Sequence, residues 1–65
     1  MNAANELLMS LVCGSRVSNG IDTIYLTEDQ EYMVIEPIGD NPSINKPFDF
    51  DYLFKLLSED TWWNI

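Results

Sequence analysis

The stretch Ile-Asp-Thr-Ile-Tyr-Leu-Thr, residues 21–27, decides the fold of this chain together with its return, Glu-Tyr-Met-Val-Ile-Glu, residues 31–36. In the first segment Ile24 and Leu26 alternate with more polar side chains, as expected for a strand with one buried face. In the second segment Tyr32 and Val34 alternate with Met33 and Ile35, and a polar tip, Glu-Asp-Gln, lies between the two segments. This pattern predicts an antiparallel β-hairpin.

Turn-forming residues mark both ends of the hairpin. Ser18, Asn19 and Gly20 come before it, and asparagine and glycine adopt positive φ at little cost. Pro37 ends the second strand because proline has no N–H to donate to a neighbouring strand. Residues 39–47 combine one glycine with two prolines and several other turn formers, so we expect a loop there.

Helical spacing occurs near the start and near the end of the chain. Between residues 3 and 12 the apolar side chains fall on one side of a helix, which Gly14 would end. An extended conformation of this segment, which would lengthen the sheet, is the alternative. A second amphipathic pattern follows Asp49, a residue suited to cap a helix. The apolar positions of the two patterns are Leu7, Leu8, Leu11 and Val12, and then Phe50, Leu53, Phe54 and Leu57.

These elements predict a single small α+β domain spanning residues 1–65. An antiparallel β-hairpin, or a three-stranded meander, packs against an N-terminal and a C-terminal helix. A chain this short has apolar surface for one core only. A lone hairpin is marginal in water, so both helices are expected to cover the same face of it.

The net charge of the chain limits the classes of molecule that it can bind. The chain has eleven acidic and three basic side chains and no histidine, for a formal charge of -8, although 46% of it is hydrophobic. Its field repels nucleic acids and anionic lipids and attracts basic proteins. We therefore expect a folded protein that contacts neither nucleic acid nor membrane directly and whose partner is a basic protein.

The residue inventory gives no support to catalysis or to cofactor binding. General acid–base chemistry near neutral pH most often uses histidine, so we expect no enzyme and no catalytic residue. The three glycines are isolated from one another, so no phosphate-binding loop and no cofactor is expected. Asp49 and Asp51 match a helix start better than a calcium loop, and no metal site is predicted.

The single cysteine and the hydropathy pattern bear on the compartment. Cys13 has no disulfide partner in the chain, and we expect it to be a small buried apolar residue. The longest apolar run has four residues, and the N-terminus has no basic segment ahead of an apolar stretch. The sequence therefore predicts a cytoplasmic protein without a signal peptide or a membrane span.

The acids around the predicted hairpin are the candidate binding residues. Side chains two apart on a strand project from one face about 6.6 to 6.8 Å apart, a spacing similar to that of phosphates on one DNA strand. A row of carboxylates with that spacing could occupy a basic groove meant for nucleic acid. The candidate acids lie at the tip, at the base and at the start of the following loop, and they are Glu28, Asp29, Glu31, Asp22, Glu36 and Asp40.

Aromatic residues could anchor such an interface. Trp62 and Trp63 are adjacent, so both cannot face the core of a regular helix, and an exposed tryptophan is a common interface anchor. The alternative is that both close the bottom of a thin core. We take Tyr25 and Trp63 as the candidate anchors.

The leading functional hypothesis is a small acidic inhibitor or decoy that docks on a basic, nucleic-acid-handling protein. Such nucleic-acid mimics are the kind that bacteriophages and mobile elements use against host defence or transcription machinery. The alternative is a structural or regulatory module that forms a homodimer through its sheet edge or the Trp62-Trp63 face. A third reading is a subunit of a larger assembly. In these alternatives the acids serve solubility only.

Overall fold

Two helices and five strands form the computed structural model, which describes residues 3–59 and 61–65. The α+β class and both predicted helices are confirmed, while the sheet has more strands than the two or three expected. In chain order the elements are α1 (Ala3–Val12), β1 (Val17–Ser18), β2 (Asp22–Leu26), β3 (Tyr32–Pro37), β4 (Ile44–Pro47), α2 (Phe50–Glu59) and β5 (Trp63–Asn64).

The sheet is antiparallel throughout, in the order β4-β3-β2-β1-β5. Strands β2 and β3 are the predicted hairpin, with Ile24 opposite Ile35 and Tyr25 opposite Val34. The chain continues as a meander into β4 on one side. On the other side β1 pairs with β2, and β5 returns after α2 to form the edge beside β1.

Strand β4 corrects the prediction of a loop over residues 39–47, because Ile44–Pro47 pairs with β3. Every residue of this edge strand is exposed, so it lacks the alternation that marks a strand in sequence. Its proline is tolerated because of the register. The Phe48 N–H donates to the Glu31 carbonyl at 2.8 Å, so Pro47, one residue earlier, directs its missing N–H away from β3.

Both helices pack on one face of the sheet and enclose the core. Leu11 of α1 and Leu53 of α2 are completely buried there. From the strands the core receives Val17, Ile24, Met33 and Ile35. Trp62 closes one end of this layer and donates its indole N–H to the Leu56 carbonyl at 3.2 Å. Leu7, Leu8, Leu11, Leu53 and Leu57 are therefore buried as their spacing predicts. The prediction is wrong for Val12 and Phe50, which are 42% and 55% exposed because they stand at the ends of their helices.

Backbone and side-chain hydrogen bonds satisfy the carbonyl groups at the C-terminal end of α1. After α1, Gly14 has a φ of 98°, and the Ser15 N–H reaches the Ser10 carbonyl at 2.9 Å, a Schellman ending. Gln30, at the hairpin tip, donates its side-chain amide to the Val12 carbonyl at 2.8 Å and so ties the tip to the helix. Cys13 lies in this ending and is exposed, so the prediction that it is buried is wrong.

Neither helix in the described part of the chain is long and apolar enough to cross a membrane.

Candidate protein-binding surface

The sheet has a second face, which neither helix covers. We call it the open face and define it by the side chains that alternate with the buried core positions of the strands. Across the sheet from β5 to β4 these are Trp63, Ile65, Arg16, Ser18, Thr23, Tyr25, Tyr32, Val34, Glu36, Asn45 and Pro47. Aromatic and apolar groups on it remain accessible, with Tyr32 47% and Trp63 48% exposed. The open face therefore presents aromatic surface to solvent.

The centre of the open face holds a contact between a cation, an aromatic ring and a carboxylate. Val17 of β1 is opposite Ile24 of β2, and this register places Arg16 beside Tyr25. The Arg16 guanidinium carbon lies 4.1 Å from the centre of the Tyr25 ring. Its Nη1 is 4.0 Å from Oε2 of Glu36 on β3. Two of the predicted binding residues, Tyr25 and Glu36, are thus neighbours on this face.

Glu36 also changes the acidity of Tyr25. The neighbouring Glu36 carboxylate raises the pKa of Tyr25, because its interaction with the phenol favours the neutral hydroxyl. The nearby negative charge acts in the same direction, and Arg16 acts in the opposite one. The Tyr25 hydroxyl therefore remains a hydrogen-bond donor throughout the neutral range.

The two tryptophans face different sides of the sheet. Trp62 is 8% exposed and belongs to the core, whereas Trp63 is 48% exposed and lies on the open face, opposite Ser18. The Trp63 ring packs over the turn before β2, where a Cβ on Gly20 would lie 3.4 Å from its Cη2. The expectation that the pair divides between core and surface agrees with this geometry, and Trp63 is the accessible member.

The acids of the hairpin tip lie in the turn between β2 and β3. Glu28 and Glu31 are exposed. Asp29 is different, since its Oδ1 accepts the Thr27 hydroxyl at 2.6 Å and the Glu31 N–H at 3.0 Å. These bonds, that of Thr27 foremost, lower the pKa of Asp29 because they stabilise the carboxylate. Asp29 therefore builds the turn in addition to carrying charge.

This turn predicts a pH-dependent contribution to stability. A carboxyl group whose pKa is lower in the folded state stabilises the fold above its unfolded-state pKa, and this contribution disappears as the pH falls through the folded-state pKa. We expect Asp29→Asn to be less stable than Glu28→Gln at neutral pH, although both remove one charge. The difference should vanish in acid. Urea unfolding of both variants, from neutral pH down to acid, measures this difference in stability. A difference that persists unchanged in acid would contradict the role given to Asp29.

The remaining acids lie at the other end of the hairpin. Asp22 begins β2 and is half-buried, Glu36 is on the open face, and Asp40 is exposed in the loop after β3. From Asp22 to Leu26 the strand extends about 13 Å, which separates the two groups of acids. None of the described strands carries two acids, so the predicted row of carboxylates along a strand is wrong. The acids instead border the two ends of the sheet.

Few of these charges are neutralised within the molecule. Among residues 3–59 and 61–65, Arg16 with Glu36 is the one ion pair, and both side chains are partly exposed. Lys46 projects on the helix side, where its Nζ lies 4.9 Å from the centre of the Tyr52 ring. In the same described ranges, no three acidic or cysteine side chains come close enough to hold a metal ion.

Two features of the molecule were missed in the sequence, one on the open face and one on the helix side. Arg16 belongs to a segment with only two strand residues, too short to show alternation, so nothing pointed to its place beside Tyr25. A groove of about 570 Å³ beside β4 was also missed, and its walls include Lys46, Phe48, Phe50 and Tyr52. The groove lies on the helix side.

The chain was compared with protein-family models, with curated proteins and with solved structures, and none of these comparisons found a match.

Proposed function

We propose that this protein is a small acidic inhibitor or decoy that acts in the cytoplasm. It docks through the open face on a basic, nucleic-acid-handling protein and excludes the nucleic acid from it. Phages and mobile elements deploy proteins of this kind against host defence or transcription machinery. The observation that carries the proposal is an uncovered aromatic sheet face, bordered at both ends by acids that have no cation partner among the described residues.

The two parts of this surface would contribute in different ways. Tyr25 and Trp63 can supply contact area, because aromatic side chains that become buried at an interface account for much of its binding energy. The acids act at longer range. Exposed carboxylates such as Glu28 and Glu31 accelerate encounter with a basic surface, and salt screens this effect over about 8–10 Å at physiological ionic strength.

The sheet edges offer little to a second copy of the chain. On the outer edge of β4, Pro47 has no N–H to donate to another strand, and β5 has only two residues. Each copy also carries a formal charge of -8, so two copies repel each other. In the homodimer alternative, the contact at Trp62 and Trp63 could use Trp63 only, because Trp62 is buried. These features support docking on a different protein.

A displacement assay tests the proposal. A panel of basic nucleic-acid-binding proteins, each holding a fluorescently labelled oligonucleotide, is titrated with this protein at increasing salt. We expect displacement from at least one of them at low salt, and the inhibition constant should rise steeply with ionic strength. Displacement from none of them, or an inhibition constant that is independent of salt, would reject the decoy.

Two variants locate the contact on the open face. Trp63→Ala should weaken displacement, whereas Met9→Ala, which removes a 64% exposed apolar side chain from α1 on the helix side, should leave it unchanged. Sedimentation of the protein alone gives the oligomeric state. A tight dimer that survives Glu28→Gln with Glu31→Gln would favour the homodimer alternative.

A further inference from the structure

We propose that Tyr25 and Glu36 form an arginine-binding site, which the chain's own Arg16 occupies until an arginine of the partner replaces it. This inference rests on the proposed function, because it assumes that a basic protein docks on the open face. The arginine site specifies which chemical group of the partner the open face recognises. The side chain recognised is a guanidinium group, and Arg16 is its internal substitute.

The contacts of Arg16 define the site. A guanidinium binds a protein surface most favourably when its flat face stacks on an aromatic ring and its charge meets a carboxylate. Arg16 meets both conditions, at 4.1 Å from the centre of the Tyr25 ring and 4.0 Å from the Glu36 carboxylate. The Glu36 carboxylate is also close enough to the Tyr25 phenol to raise the pKa of Tyr25.

The receiving side chains are fixed by the two central strands. Glu36 is opposite Thr23, and Tyr25 is two residues further along β2, so the ring and the carboxylate are diagonal neighbours on one face. Arg16 differs in this respect. It precedes β1, its side chain is 54% exposed, and it is joined to the pair only by surface contacts. Both receiving residues thus lie in strands that are paired on either side within the sheet, whereas Arg16 lies outside the strands.

Exchange is energetically accessible. Exposed ion pairs are screened by solvent and hold their partners weakly, and the same is true of exposed cation–aromatic contacts. Arg16 is also the one basic side chain on the open face as the described residues define it. When it swings away, the face loses the one charge that would repel a basic partner. An incoming arginine thus gains the Tyr25 and Glu36 contacts and meets no opposing cation.

The site is expected to select arginine over lysine. The planar guanidinium stacks and donates several hydrogen bonds at once, whereas an ammonium group is a compact and strongly hydrated point charge. The open face therefore favours nucleic-acid-binding proteins that contact phosphates through arginine. This preference separates a specific site from general attraction between opposite charges.

The test compares Arg16→Ala with Lys55→Ala, a matched control that removes the same charge from α2. The probes are oligo-arginine and oligo-lysine peptides of equal length, and titration calorimetry measures the affinity of every variant for each peptide. We expect Arg16→Ala to bind oligo-arginine about threefold to tenfold more tightly than Lys55→Ala does, with a smaller gain for oligo-lysine. Adding Tyr25→Leu to Arg16→Ala should abolish the gain.

Equal affinity of the two single variants, or an equal gain for both peptides, would overturn the arginine site. Thermal melting of each variant confirms that the comparison is made between folded proteins. The displacement assay distinguishes this outcome from failure of the proposed function. If nucleic acid is displaced while Arg16→Ala matches Lys55→Ala, the site alone is rejected; if the gain occurs without displacement, the decoy function alone is rejected.

Discussion

Trp62→Ala is expected to leave the domain largely unfolded at ambient temperature. Trp62 is 8% exposed, packs in the core and donates its indole N–H to the Leu56 carbonyl at 3.2 Å. Removing a buried tryptophan costs about 3–5 kcal/mol, and small domains of this size have about 3–5 kcal/mol of stability in total. Urea unfolding followed by circular dichroism measures the loss.

The adjacent tryptophan provides the matched control. Trp63 lies on the open face and is 48% exposed, so Trp63→Ala should reduce stability by less than about 1 kcal/mol. The same variant should still impair displacement of nucleic acid from the partner. Equal destabilisation by the two substitutions would contradict the division of the pair between core and surface.

The second large effect concerns association with the partner. Replacing Glu28 and Glu31 with glutamine and Asp40 with asparagine removes acids from both ends of the sheet, all of them exposed. Electrostatic steering raises association rates by about 10-fold to 1000-fold, so we expect the triple variant to associate about 10-fold to 100-fold more slowly at low salt. Stopped-flow mixing with the nucleic-acid-binding protein that shows displacement measures the rate. Asp29 is left intact because it builds the turn.

A charge-matched variant tests whether the position of the acids matters. Three exposed acids of the helices are removed by Glu6→Gln, Asp51→Asn and Glu59→Gln, which reduce the net negative charge by the same amount as the first triple variant. We expect a much smaller change in rate, because these groups lie on the helix side of the sheet. If both triple variants slow association to the same extent, net charge alone attracts the partner and the open face has no special role.

Much of the fold follows from local patterns. The hairpin of β2 and β3 and the helices over Ala3–Val12 and Phe50–Glu59 were all predicted, because periods of two and of about 3.6 residues show directly in the sequence. The short strands did not show. Two residues in β1 and two in β5 cannot display a period, and β4 is exposed at every position. These strands form only by pairing with their neighbours: β1 and β4 with the hairpin, and β5 with β1.

The candidate surface was predicted in part. Tyr25, Glu36 and Trp63 share the open face, while the tip acids and Asp40 lie at its ends and Asp22 starts β2 on the helix side. The place of Cys13 was misjudged because burial of one residue after a helix depends on how the helix packs, which its own composition does not reveal.

The amino-acid sequence by itself determined the sign and size of the charge, the hairpin and the two amphipathic helices, because each of these depends on composition or on neighbours a few residues apart. Only the tertiary structure decided that one sheet face is uncovered, that Trp63 lies on it and that Arg16 stacks on Tyr25 beside Glu36. Strand register brings together residues that are distant along the chain, and backbone hydrogen bonds between strands set that register without leaving a local pattern.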